Sequence, residues 1–360
     1  MNQHPPEVKA YLDRLYAEDR RQHACRATTP DEFAAWQTEA RRAFRELLGL
    51  PRIAAQAAAQ VAVEGDGHAP RVDLEERAED MGTYARFRGR IETEPDVTTH
   101  FWLLRPKTPG PYPLAVTPHG HENGDTYVGI WEDDQTRQRI IDDERDVAVQ
   151  AVERGFLTIA PATRGIGSSP HAYKVEDVGE RHGNRHCVCH SWQVVQVGRT
   201  LLGERVWDLM RILDWATALP EVDAQRVLML GNSGGGMATA HTAACDERIA
   251  VAVPCCSYSN YMSPHGTLRH CPCNAIPGLF EFGEFWDVAG LIAPRPLLTV
   301  NGRHDALHPV EEVDAAVARL EAIYRAAGAE GRYQHRYGPA GHRFYRDIMW
   351  EWIDATMDLG

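Results

Sequence analysis

The run Val227-Leu228-Met229-Leu230-Gly231-Asn232-Ser233-Gly234-Gly235-Gly236-Met237 constrains this chain more than any other. It reads as a short apolar strand, a glycine-dense turn with one serine at its apex, and a helix-compatible run to Ala244. Gly231-Asn232-Ser233-Gly234-Gly235 fits G-x-S-x-G, the nucleophile elbow. A serine on so sharp a strand-to-helix turn needs a strained backbone and neighbours without bulky Cβ groups. The turn lifts the hydroxyl above the sheet edge. It also sets the Gly234 N–H at a helix N-terminus, where an oxyanion is stabilised. The competing reading is a glycine-rich βα turn with an incidental serine, so the remaining residues must decide.

Strand-like and helix-like runs alternate on both sides of that turn. Residues 6–50 read as helical, with a cap and acidic first turn at Thr29-Pro30-Asp31-Glu32 and a stop at Gly49 and Pro51. Residues 52–70, alanine-rich and then punctuated by glycine and proline, read as a linker. Three strand-like runs at 71–77, 83–91 and 98–105 suggest an antiparallel meander. Short apolar strands follow at 113–117, 156–160, 226–231, 249–253, 297–300 and 332–336. Helical patterns fall at 139–154, 196–218, 309–326 and 343–357. Alternation of this kind predicts an α/β class: a doubly wound, mostly parallel sheet with helices on both faces.

A serine nucleophile needs a base, an acid to orient it, and donors for the tetrahedral oxyanion. Asn301-Gly302-Arg303-His304-Asp305 follows a late apolar strand, so Asp305 is the candidate acid, against a plain loop aspartate that begins the next helix. Tyr337-Gly338-Pro339-Ala340-Gly341-His342 is a turn directly ahead of the last helix, which makes His342 the candidate base. His304, His308 and His335 are weaker choices. Pro118-His119-Gly120-His121 follows an early strand, and its His121 backbone N–H is the expected oxyanion donor beside that of Gly234.

These motifs, with Ala162-Thr163-Arg164-Gly165-Ile166-Gly167 and Ile292-Ala293-Pro294-Arg295-Pro296-Leu297-Leu298, resemble the bacterial α/β-hydrolases of the acetyl xylan esterase-like and dienelactone hydrolase-like kind. The resemblance covers about residues 95–360. It implies an α/β-hydrolase catalytic domain at 95–360, with 1–94 as a helical and β extension packed on the core. It also implies a serine hydrolase cleaving carboxylic esters, on small-molecule or acylated carbohydrate substrates. The Arg-Gly-Gln and Gly-x-Ser-Gln-Gly patterns of cephalosporin C deacetylase-type acetyl esterases are replaced here by Arg164-Gly165-Ile166-Gly167 and Ser233-Gly234. A prolyl-oligopeptidase-type serine peptidase and a catalytically silent hydrolase fold used for binding are the alternatives. Arg164 is expected to tie its loop to neighbouring carboxylates or carbonyls.

Three long segments, 121–138, 165–195 and 256–290, leave strand C-termini and carry aromatics. Tyr127, Trp131, Tyr258 and Trp286 are the expected substrate contacts, with His171, Tyr173 and His265 nearby in sequence. The same rings could equally form a loop core.

The chain has 360 residues, a net charge of −13 and 17 histidines, an acidic balance that argues against nucleic acid or an anionic membrane as partner. No apolar run approaches the ~20 residues of a membrane span. Met1 to Asp19 is polar rather than a secretory signal, so a cytoplasmic location with reduced thiols is the default, export of a processed form aside. His186-Cys187-Val188-Cys189-His190 and His270-Cys271-Pro272-Cys273 could in principle ligate zinc. Their C-x-C spacing fits poorly beside the usual C-x₂₋₄-C, so loop cysteines packed as small apolar groups are expected, a cross-loop disulfide only in an exported form, with no metal and no cofactor. The sequence leaves the oligomeric state open.

Overall fold

The computed structural model describes residues 5–64, 70–166, 186–261 and 270–358. Its helices are α1 (Pro6–Leu15), α2 (Pro30–Leu48), α3 (Leu50–Glu64), α4 (Asp134–Asp142), α5 (Val147–Val152), α6 (His186–Val195), α7 (Leu201–Ala216), α8 (Gly234–Cys245), α9 (Leu279–Phe282), α10 (Phe285–Gly290), α11 (Val310–Ala326) and α12 (Arg346–Met357). Its strands are β1 (Val72–Leu74), β2 (Glu79–Asp80), β3 (Tyr84–Glu94), β4 (Val97–Pro106), β5 (Tyr112–Val116), β6 (Leu157–Pro161), β7 (Val222–Asn232), β8 (Val251–Cys255), β9 (Leu297–Gly302) and β10 (Tyr333–Gly338).

All ten strands join one sheet in the order β1-β3-β4-β6-β5-β7-β8-β9-β10, with β2 on β3. β5 to β10 run parallel, while β1 to β4 are antiparallel and meet β6 through β4. The chain moves one way from β5 to β6 and then the other way from β5 to β7. That reversal opens a crevice above the carboxyl ends of β5 and β7, the place where open α/β sheets bind ligands.

The strand sequences explain the two layers. Leu114, Val116, Val227 and Met229 point into one buried cluster, and Ala115, Leu228 and Leu230 into the other. Alternate residues reach opposite faces, and both faces are covered, so these strands read as unbroken apolar runs. α2, α3, α7 and α8 supply side chains to the first cluster, and α5 and α12 to the second.

Residues 52–64 of the expected linker at 52–70 belong instead to α3, with Ile53 and Ala57 buried, and 65–69 lie outside the described residues. Alanine is the strongest helix former, and the burial of Ile53 in the core holds the run in place. The expected single helix at 139–154 is two, α4 and α5, separated around Glu144 at φ +54°. Arg164 takes the expected tying role: its Nε donates to Asp208 at 2.9 Å, its Nη1 to Glu94 at 2.7 Å, and Glu204 lies 3.4 Å away. His171, Tyr173 and His265 lie outside the described residues.

Candidate active site

Ser233 joins the end of β7 to the start of α8 with φ +57° and ψ −120°, a region that L residues rarely occupy. Its amide donates to the Cys255 carbonyl at 2.9 Å, which fixes the strained turn to β8. The elbow glycines are required by close approach. A Cβ at Gly235 would stand 2.0 Å from the Pro118 carbonyl oxygen, and one at Gly231 2.5 Å from the same atom. Gly120 presses on the turn from the other side, where a Cβ would lie 3.0 Å from the Gly234 nitrogen. The loop after β5 is therefore packed directly against the head of α8, beside Ser233.

Asp305 and His342 come from the loops after β9 and β10. The His342 Nδ1 and Asp305 Oδ2 are 2.7 Å apart, and the Leu307 amide donates to the other carboxylate oxygen at 2.9 Å. Asp305 is 4% exposed. Burial alone would raise its pKa, but the His342 hydrogen bond and charge outweigh burial and hold it below the usual range. For His342, burial works against the charged ring; the Asp305 hydrogen bond and nearby negative groups win and raise its pKa above the ordinary value. Asp314 accepts from the Tyr337 hydroxyl instead, and the half-buried His335 hydrogen-bonds Thr299 through Nδ1 at 2.8 Å. His308 reaches the Cys256 carbonyl at 3.1 Å.

Ser233, His121 and His342 line two adjoining lobes of a cleft. One lobe, about 640 Å³, is walled by Ile166, Cys187, Met237, His270, Cys271 and Leu307. The other, about 480 Å³, is polar, with Glu122, Asn123, Asp125, Arg139 and Arg145 around Trp131.

Of the four expected aromatic contacts, Trp131 lines the cleft and is 46% exposed. Tyr127 is buried beneath it, its hydroxyl donating to Glu122 at 3.0 Å and accepting from the Asn232 amide at 3.4 Å. Tyr258 is buried, donating to the Ala316 carbonyl at 2.9 Å. Trp286 lies in a separate groove beside Arg21 and Arg319. Tyr127 and Tyr258 are packed inside and Trp286 lines the other groove, so none of these three lines the cleft, which aromatic composition could not distinguish. Sequence reading took Cys255 and Cys256 only as buried residues after a strand; both are buried, but the Cys256 Sγ also lies with the Asp305 carboxylate and a His342 nitrogen inside one 4.8 Å group. No motif marks it, since only the fold carries the end of β8 to the His342 loop. Sequence reading also treated His121 only as a backbone donor, whereas its side chain meets Cys187, Cys271 and Cys273.

No family model matches the chain. A Bacillus subtilis protein named as a hydrolase, YtaP, is 30% identical over 167 residues, which span 46% of this chain and 56% of that relative. A solved structure from Bacteroides fragilis named as an acetyl xylan esterase superposes with TM-score 0.73 at 16% identity, over 98% of this chain and 95% of that one. A methylesterase superposes with TM-score 0.67 at 20% identity, over 98% of this chain and 68% of the other. No helix among the described residues is long and apolar enough to cross a membrane. The sheet order, the strand-to-helix turn at the end of β7 and these superpositions agree: the chain has the α/β-hydrolase fold.

Proposed function

We propose that the chain is a serine hydrolase of carboxylic esters, with Ser233 as nucleophile, His342 as base and Asp305 as the acid that orients it. The observation that carries this reading is the 2.7 Å Asp305–His342 hydrogen bond at the rim of a cleft that also holds the strained Ser233. A buried carboxylate on Nδ1 fixes the tautomer that leaves Nε2 free to take the serine proton. Attack on the ester carbon forms a tetrahedral intermediate whose oxyanion is met by the backbone N–H groups of His121 and Gly234. Collapse expels the alcohol, protonated by His342. Water, deprotonated by the same ring, then frees the acid from the acyl-enzyme.

The polar lobe around Trp131 suits a sugar alcohol, since an exposed ring can stack on a pyranose face while Glu122, Asn123, Asp125 and Arg145 meet hydroxyls. Structural relatives named as acetyl xylan esterase and methylesterase point the same way. Residues 1–94 act in this reading as an extension packed on the catalytic part. The test is a panel of short p-nitrophenyl esters and acetylated xylo-oligosaccharides against aminoacyl anilides, with a fluorophosphonate probe. Ester turnover and labelling at Ser233 are expected. Faster anilide cleavage would favour a peptidase, and a folded protein that takes no probe would favour a silent binding fold.

A further inference from the structure

We propose that His121, Cys187, Cys271 and Cys273 form a closed tetrahedral zinc site on the wall of the cleft. The four ligand atoms all lie within 4.8 Å of one another. The His121 Nε2 is 3.5 Å from the Cys187 sulfur and 3.4 Å from the Cys273 sulfur, and the Cys187 and Cys271 sulfurs are 3.9 Å apart. A tetrahedron with Zn–S of ~2.3 Å and Zn–N of ~2.05 Å has edges about 1.6 times those bonds, or roughly 3.8 Å between sulfurs and 3.5 Å between sulfur and nitrogen. The three separations match those edges. A disulfide would need the sulfurs at about 2.05 Å.

The ligands come from three segments far apart in sequence: the loop after β5, the first turn of α6, and the turn at Pro272–Asn274. Packing of small apolar thiols does not require a ring nitrogen aimed between two of them, whereas ligation does. The geometry also explains why one C-x-C pair contributes two ligands and the other one. Cys271 is extended, at φ −57° and ψ 141°, so the Cys271 and Cys273 side chains can converge. Cys187 and Cys189 sit two apart on a helix, where i and i+2 side chains diverge. Cys189 is therefore left outside the group.

The surroundings supply what such a site needs. Three thiolates and one Zn²⁺ leave a net negative charge. The buried Arg205 answers it, with Nη1 3.5 Å from the Cys273 sulfur and 3.0 Å from Asn274 Oδ1. Cys187 and Cys273 are buried, while His121 faces the cleft and leaves a path for the ion. Four protein ligands leave no open position, so the metal is structural and does not touch substrate. It would clamp α6 and the Pro272–Asn274 turn to the loop that packs on the elbow. The His121 ring lies within van der Waals contact of a Cβ placed at Gly234, at 3.6 Å from Nδ1.

The experiment uses the full chain carrying Ser233→Ala, purified without a metal-affinity step and dialysed against equimolar zinc, so that its outcome is independent of ester turnover. Elemental analysis should find one zinc per chain, released in step with the reaction of three thiols with an organomercurial. Cys271→Ser and Cys273→Ser should each retain less than a tenth of an equivalent, while Cys245→Ser, buried elsewhere in the core, keeps the full one. If the serine variants do not fold, cobalt substitution of the parent protein serves instead: thiolate charge-transfer bands and intense tetrahedral d–d absorption are expected. A folded protein that holds no zinc and whose thiols all titrate would overturn the site. So would a Cys187–Cys271 disulfide in the isolated protein.

Discussion

Ser233 and His342 are expected to work as one unit. Ser233→Ala and His342→Ala should each remove nearly all turnover, and the double variant should be little worse than either, because a base without a nucleophile is idle. Additive losses in single-turnover measurements would separate the two. Asp305→Asn keeps the shape but offers His342 the wrong partner, and kcat should fall by roughly 10⁴-fold. The pH dependence has a definite sign. The base must be neutral, and His342 is raised above the usual imidazole value of ~6.5. The rising limb of kcat/KM should therefore be centred above that value. A limb centred below it would mean that the Asp305 contact does not form in solution. Glu284 titrates for a different reason. Burial raises its carboxyl to about 7, against the backbone hydrogen bonds from Phe285 and Tyr261 that lower it. The folded state holds that proton more tightly than the unfolded chain, where Glu titrates near ~4.3. The stability this gives is complete below the unfolded value and is lost as pH rises through about 7. Glu284→Gln should flatten the fall of Tm between those two pH values, as calorimetry can check.

At the scale of elements, α3 and the α4–α5 pair fold otherwise than their sequences read. α3 looked like a linker because its alanines carry no amphipathic stripe of large residues. Ile53, fully buried against the core, holds it in place. Ile53→Ala should cost about 2–5 kcal/mol in denaturant unfolding, the range for a large-to-small change in a packed core. A linker residue would give close to nothing. The loop after β6 is held by Arg164, which satisfies Asp208 and Glu94 and lies by Glu204, with Arg199 sharing Glu94 at 2.6 Å. Arg164→Met removes one member of a buried network and should cost roughly 3–5 kcal/mol, since the carboxylates are left without their partner.

At the scale of the whole molecule, Phe33, Phe44 and Ile53 of the N-terminal helices share one cluster with Leu213, Val227 and Ala240 of the sheet layer. Residues 1–94 expressed alone would expose that shared face. We expect such a fragment to be degraded quickly in limited proteolysis, and a stable fragment would establish an independent domain. The same layering delivers the cleft. The direction change at β5 and β7 places the loop ends after β5, β6, β7, β8 and β9 around one crevice, with the β10 loop bringing His342 over it.

The residues by themselves determined the glycine-rich turn around Ser233, the proposed order Ser233, Asp305, His342, and the alternation that requires a covered parallel sheet. Those are local facts: close backbone approach demands glycine, and strands buried on both faces demand unbroken apolar runs. Only the tertiary structure decided which aromatics face the cleft, because Tyr127, Tyr258 and Trp131 are alike in composition and differ in what the loops pack against. It likewise decided the company of His121. Its three sulfur neighbours come from positions 187, 271 and 273, a separation that no local spacing records, and they meet only because the loops after β5, β6 and β8 close over the same end of the sheet.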